Sequence, residues 1–335
     1  MQLSRFHKVS LGHFPTPLDR LDRLSVELGI ELYVKRDDLN GLAGGGNKVR
    51  KLEFLLGDAL AKGADTIITQ GATQSNHVRQ TVAAASKLGL KSRAILEHRV
   101  PGVDARFNTT GNVFLDHLLG VESLRFVDAG ADMNAEMNKE AEAVRAAGGK
   151  PYIVPGGGSN AIGALGYVNA ALELEYQATA KNLKIDTIVV TSGSSGTHAG
   201  LAAGLSGLNS PSRLLGISIR QPEAVQVAKV LDETNKVAEL LGIPTVPAAK
   251  IVVNDQYVGG GYGISTEASK AAIVEAAQKE ALLLDPTYTG KAFGGLLDLA
   301  RKGFFKRGET VVFMHTGGTF GLFAYEQELL DFLNR

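Results

Sequence analysis

The chain has 335 residues, with 35 Lys plus Arg against 35 Asp plus Glu, 40 glycines, and neither cysteine nor tryptophan. The missing cysteine excludes disulfides, iron–sulfur clusters, thiolate metal sites and a cysteine nucleophile. The balanced charge leaves no electrostatic footprint for nucleic acid or an anionic membrane.

The predicted elements begin after an N-terminal stretch, Met1 to Phe14, that has no apolar run of signal type. No segment reaches the ~18 apolar residues of a membrane span, so a cytoplasmic protein is expected. Strand Glu31–Lys35 comes first, then strand Thr66–Thr69 and helix His77–Leu88. Strand Ser92–Leu96, helix Asn112–Leu119, strand Ser123–Val127, helix Asn134–Ala147 and strand Pro151–Val154 follow. Helix Ile162–Ala180, strand Thr187–Val190, helix Thr197–Leu208, strand Leu214–Ile219 and helix Glu223–Leu241 continue the alternation. Helices Glu267–Leu283 and Gly290–Lys302 and strand Thr310–Met314 complete it. Strands separated by helices of this length make βαβ units and a mostly parallel sheet. The unbroken apolar runs Ile188–Val190 and Val311–Met314 fit strands buried on both faces. No Pro/Ser-rich linker splits the chain, so two domains would be interleaved rather than consecutive.

Glycine, well above its usual ~7%, clusters where parallel sheets bind ligands, beyond the carboxyl ends of strands. Gly44-Gly45-Gly46-Asn47-Lys48, Gly156-Gly157-Gly158-Ser159-Asn160, Gly193-Ser194-Ser195-Gly196-Thr197 and His315-Thr316-Gly317-Gly318 each follow a predicted strand. Gly193–Thr197 is the best anion site: its amides, hydroxyls and following helix can converge on one phosphate. It lacks the lysine of a nucleotide-triphosphate loop; the alternative is an ordinary capped turn. Gly156-x-Gly158-x-x-Ala161 imitates a dinucleotide fingerprint, but the acidic residue expected at a second strand end is missing.

Lys48, after three glycines and an asparagine, can be approached by a flat ligand and can form a Schiff base with an aldehyde. With Arg50 and Lys51 it reads equally as one of three solvated cations heading a helix. Thr73-Gln74-Ser75-Asn76-His77 opens a helix and suits a substrate carboxylate, or simple capping. Tyr262, between glycines, and Tyr288 are potential proton donors, or packed tyrosines. No His/Asp/Glu spacing suggests a metal, and no Gly-x-Ser-x-Gly elbow occurs.

Taken together, Lys35-Arg36-Asp37-Asp38, Gly45-Gly46-Asn47-Lys48-Val49-Arg50-Lys51-Leu52-Glu53, Gln74-Ser75-Asn76-His77 and Asp285-Pro286-x-Tyr288 resemble the pyridoxal 5′-phosphate (PLP) enzymes of the tryptophan-synthase-β fold. The resemblance covers nearly the whole chain. It is strongest to the subgroup of D-cysteine desulfhydrase, L-cysteate sulfo-lyase and 1-aminocyclopropane-1-carboxylate deaminase. It implies an α/β fold of type II, with a smaller domain (50–165) inserted in a larger PLP domain (1–49 and 166–335), and a homodimer. It also implies residue roles. Lys48 would carry the Schiff base and act on the α-proton, while Asn47 and Asn76 contact the cofactor ring. Ser194, Ser195, Gly196 and Thr197 would hold the phosphate; Ser75 and its neighbours Gln74, Asn76 and His77 would take the substrate carboxylate; Tyr262 and Tyr288 would tune proton transfers.

Two positions depart from the cyclopropane deaminases: Thr289 stands where they carry a glutamate facing the pyridine nitrogen, and Thr316 where they carry leucine. Without a charged ring partner the electron sink is shallower, which favours α,β-elimination of a good leaving group over ring opening. L-Cysteate, its sulfonate met by Thr73, Ser159 and Asn160, with Arg220 either a cation partner or a surface arginine, is the expected substrate, and D-cysteine the alternative. Less favoured are the cyclopropane substrate and a PLP-binding protein without turnover.

Overall fold

In the computed structural model, which describes residues 1–335, the chain enters through β1 (Leu18–Arg20), α1 (Asp22–Leu28), β2 (Glu31–Arg36) and α2 (Lys48–Ala61). An alternating run follows: β3 (Thr66–Ala72), α3 (Asn76–Lys87), β4 (Lys91–Glu97), α4 (Gly111–Leu118), β5 (Ser123–Val127), α5 (Met133–Ala146) and β6 (Pro151–Ile153). Helix α6 (Ala161–Ala180) leads to β7 (Thr187–Ser192), α7 (Gly196–Gly207), β8 (Arg213–Ser218), α8 (Glu223–Leu241) and β9 (Val252–Asn254). The chain closes with α9 (Glu267–Glu280), α10 (Thr289–Arg301), β10 (Thr310–His315), α11 (Thr319–Leu322) and α12 (Glu326–Leu333).

These strands make two sheets, one ordered β1-β2-β10-β7-β8-β9 and the other β5-β4-β3-β6. Every pairing is parallel except β1 with β2. The expected parallel α/β architecture is therefore present. Strands β7 and β10 are buried at every residue, the reason their sequences run apolar without alternation. Leu32, Val189, Phe293 and Phe313 belong to the core on one face of the larger sheet, and Tyr167, Leu174, Ile188 and Val312 to that on the other.

The residue boundaries expected for an inserted unit, 50 and 165, fall inside α2 and α6. Both helices span the junction. Leu52 and Leu55 of α2 pack with Ile67 of β3 and with Val154 just after β6, while Phe54 packs with Leu165 and Val168 of α6. The two helices touch backbone to backbone at Gly166, where an added Cβ would lie 2.2 Å from the Arg50 carbonyl oxygen. Only glycine permits that approach.

Six elements were not expected from sequence, the short C-terminal helices α11 and α12 among them. β1 is three residues long and sits at a sheet edge behind Pro15 and Pro17, where proline costs no ladder bond. β9 is equally short. α1 and α2 carry charged residues that obscure their apolar faces, although α2 buries most of its length. Conversely, the helix expected to reach Leu283 stops at Glu280. Ala281 turns left-handed (φ 53°), which delivers Leu282 and Leu284 into the core.

Arg50 and Lys51 are not solvated: they are 2% and 0% exposed. The Arg50 guanidinium donates to Asp37 at 2.8 and 2.9 Å and to Glu173 at 2.8 and 2.9 Å. Lys35 also pairs with Glu173, and Tyr167 Oη donates to Asp37 at 2.5 Å. This network joins β2, α2 and α6.

Candidate active site

The cavity lies where the carboxyl ends of strands from both sheets face each other, and it is lined from both sides. The smaller sheet contributes Gln70, Gly71 and Ala72 at the end of β3 and Ser75, Asn76 and His77 at the start of α3. The larger contributes Thr191 near the end of β7, Gly193, Ser194, Ser195 and Thr197 after it, Arg220 after β8, and Thr316 and Gly317 after β10.

Lys48 begins α2 on the cavity wall, and its Nζ donates to Asn47 Oδ1 at 2.8 Å. Asn47 in turn donates from Nδ2 to Thr197 Oγ1 (2.9 Å) and from its backbone N–H to the Thr316 carbonyl (3.0 Å). The preceding loop is tight. Gly45 has φ 74°, and a Cβ there would sit 2.1 Å from the Asp38 carbonyl oxygen. Burial draws the Lys48 ammonium down to about 8, with Asp285 opposing and Arg79 assisting. An amine so placed can serve as nucleophile or base near neutral pH.

The loop after β7 forms the anion cradle. Ser195 holds φ 82°, an uncommon left-handed value for a non-glycine residue. The Gly196 amide opens α7 and donates to Ser159 Oγ at 3.1 Å, while Ser159 Oγ donates to Ser194 Oγ at 2.9 Å. Lys51 Nζ reaches the Gly157 carbonyl (3.1 Å) and Ser159 Oγ (3.3 Å) but forms no ion pair. Burial and then Lys48 push its ammonium well below the ordinary lysine value. A buried cation beside a helix N-terminus, with no carboxylate in contact, can receive an anion.

On the opposite wall, Ser75 Oγ caps α3 by accepting from the Val78 amide at 3.2 Å. Asn76 Oδ1 accepts from Asn112 Nδ2 (3.0 Å), and Asn112 Oδ1 accepts from Arg79 Nε (2.8 Å). The guanidinium can only donate, so this relay fixes both amides and leaves the Asn76 amino group as the free donor. His77 Nε2 lies 2.8 Å from Thr69 Oγ1, and burial keeps its imidazole neutral. Tyr262 and Tyr288 share a hydrogen bond between their hydroxyls, with rings 5.7 Å apart and nearly perpendicular. Burial raises both phenols, Tyr288 well above the ordinary value, so both stay protonated.

Six expected site residues stand off the cavity wall, Asn160 among them as the cap of α6, accepting from the Gly163 amide at 2.8 Å. Thr73 is buried, with its hydroxyl toward the Glu97 carbonyl. Gln74 is occupied by the Phe107 carbonyl (2.6 Å) and the Asn112 amide (2.9 Å). Ser159 and Gly196 lie behind Ser194. Thr289 Oγ1 donates to Asp285 Oδ1 at 2.7 Å and accepts from the Asp285 amide at 2.8 Å. Sequence reasoning missed Asp285 itself, a buried carboxylate that accepts the Thr287, Tyr288 and Thr289 amides and is drawn up by burial. Its signal was present in Asp285-Pro286-x-Tyr288. Arg99, Lys229 and Thr191 also line the cavity and gave no local signal.

Residues 9–317 match the family described as pyridoxal-phosphate dependent enzyme. The chain is 46% identical over 327 residues to a D-cysteine desulfhydrase of Klebsiella pneumoniae subsp. pneumoniae, and 46% identical over 328 residues to one of Yersinia enterocolitica, covering 98% of each partner in both comparisons. Among solved structures it superposes on an ACC deaminase homologue with TM-score 0.88 and 42% identity, over 98% of this chain and 97% of the other. An O-ureido-L-serine synthase at 18% identity (TM-score 0.67, over 94% and 93% of the two chains) shares the fold.

Proposed function

The chain belongs to the pyridoxal-phosphate-dependent enzymes, and we propose that it eliminates sulfide from D-cysteine to give pyruvate and ammonia. The observation that carries this reading is the joining of Lys48, the Ser75 helix start and the Tyr262–Tyr288 pair around one cavity. The names of the 46%-identical relatives favour D-cysteine over L-cysteate. So does the position of Thr73, Ser159 and Asn160 off the cavity wall, although Arg220, the fourth expected sulfonate contact, lines it.

The residues present fit PLP. The Gly193–Thr197 cradle and unpaired Lys51 suit its phosphate, and Thr191 Oγ1 is buried in the wall without a hydrogen-bond partner. PLP, once bound through Lys48, supplies an electron sink that acidifies the substrate Cα–H. Lys48 accepts the α-proton, its lowered pKa leaving a useful neutral fraction near pH 8. Asn47 orients that amine. The Asn76 amino group, aimed by Asn112, would help hold the cofactor ring as a hydrogen-bond donor. Amides at the start of α3, with Ser75, bind the substrate carboxylate. The tyrosine pair donates a hydrogen bond to the departing sulfur, whose charge grows as the carbon–sulfur bond breaks.

Cytoplasmic location and a homodimer belong to the same proposal, and light scattering checks the second. The direct test incubates PLP-loaded protein with D-cysteine and, separately, L-cysteate. Stoichiometric sulfide and pyruvate from D-cysteine are expected. Their absence overturns the reading.

A further inference from the structure

Tyr262 sits in the loop Gly259-Gly260-Gly261-Tyr262-Gly263, which belongs to no helix or strand. No backbone amide from 259 to 263 finds a backbone acceptor, and Gly261 and Gly263 hold left-handed φ of 121° and 75°. Such a backbone has many conformations open to it, yet the Tyr262 hydroxyl meets that of Tyr288. Two side chains from outside the loop hold it in place. Lys291, 1% exposed on α10, donates from Nζ to the Val258 carbonyl at 2.7 Å and to the Gly261 carbonyl at 2.6 Å. Burial draws its ammonium down to about 8, with Asp285 opposing. Either protonation state has hydrogens for both carbonyls. Tyr325, also buried, donates from Oη to the Gly263 carbonyl at 2.8 Å. With its one proton so committed, that hydroxyl can only accept from Thr287 Oγ1, 3.2 Å away. The Tyr325 ring meets Phe107 edge-on, with centroids 5.5 Å apart.

Both anchors join the two segments that carry the phenols. Lys291 lies three residues after Tyr288 and holds the carbonyl just before Tyr262. Tyr325 ties Gly263, just after Tyr262, to Thr287, just before Tyr288. Each therefore fixes one hydroxyl-bearing segment against the other. We propose that Lys291 and Tyr325 are positioning residues that seat the Tyr262 hydroxyl against Tyr288 and so set the hydrogen bond that this pair gives the departing sulfur. The inference deepens the elimination reading and rests on the tyrosine pair acting at the leaving group. A leaving group that departs without a proton is then insensitive to both anchors, whereas a purely structural role would affect every substrate alike.

The test compares PLP-loaded wild type, Lys291→Met and Tyr325→Phe, the last of which keeps the ring against Phe107 and deletes only the hydroxyl. Turnover of D-cysteine is set against that of 3-chloro-D-alanine, whose chloride leaves without a proton. Both variants should lower kcat for D-cysteine about tenfold or more, with KM and the PLP dissociation constant unchanged. For the chloro substrate the loss should stay below about twofold. Equal losses on the two substrates overturn the proposal, as does full D-cysteine activity in both variants. A second readout needs no turnover. In the fluorine NMR spectrum of protein labelled with 3-fluorotyrosine, the Tyr262 line, assigned with Tyr262→Phe, should be single and sharp in wild type and shifted or broadened in both anchor variants. An unchanged line in both also overturns the proposal. Sulfide release from D-cysteine by wild type is read separately. Its failure sinks the desulfhydrase reading and leaves the Tyr262 line to decide the anchoring.

Discussion

Arg50 and Lys51 are neighbours in sequence, both buried, and opposite in circumstance. Arg50 is enclosed by two carboxylates and hydrogen-bonded at all three of its nitrogens, and its neighbours Asp37 and Glu173 are held below the ordinary carboxylate range. Lys51 has a carbonyl and a hydroxyl for company and is pushed toward neutrality by burial and Lys48. The first arrangement is complete without a ligand. The second is not, and an enzyme site differs from its scaffold in that respect: the scaffold compensates its charges internally, whereas the site leaves a charge for something else to compensate.

Replacing each partner separates the two cases. Arg50→Met leaves Asp37 and Glu173 buried without their cation and should cost about 3–5 kcal/mol in denaturant unfolding. Lys51→Met should do the reverse to the apoprotein, leaving stability equal or higher, while weakening PLP about tenfold or more in a spectroscopic titration. A loss of apoprotein stability matching that of Arg50→Met would end the distinction.

Lys48 offers a pH test of the same contrast. Its folded pKa, about 8, is below the ordinary lysine value of 10.5, so between these values the unfolded chain binds more protons. Apoprotein stability should therefore gain an upward contribution from pH 8 to 10.5, which Lys48→Met removes. The same variant should show no lysine-linked cofactor absorbance and no turnover. The smallest effect is expected at an exposed pair: Lys236→Ala, which breaks a contact with Asp232, should leave the denaturant midpoint unchanged.

Repeating alternation made the sheets legible. Helix Glu223–Leu241 has the same limits in sequence and structure, and the apolar runs of β7 and β10 marked the centre of the larger sheet. Lys48 was legible through its glycine-rich approach and the motif around it. The charges were not. Arg50 and Glu173 meet across 123 positions, and a basic run heading a helix looks solvated until that distant acid is in place. Arg99 and Lys229 enter the cavity because two sheets face each other, which no local window reports. Thr289 could be located in the chain, but its engagement with Asp285 depends on how α10 begins.

Successive residues of an α-helix are turned by about 100°. The first four residues of α2 therefore send Lys48 to the cavity, Val49 to the apolar core, Arg50 to the carboxylates and Lys51 to the cradle. Three electrostatic duties are thus phased by one rigid turn. Side chains here can be exchanged singly, but inserting or deleting one residue at Val49 would turn the later two away from their targets together.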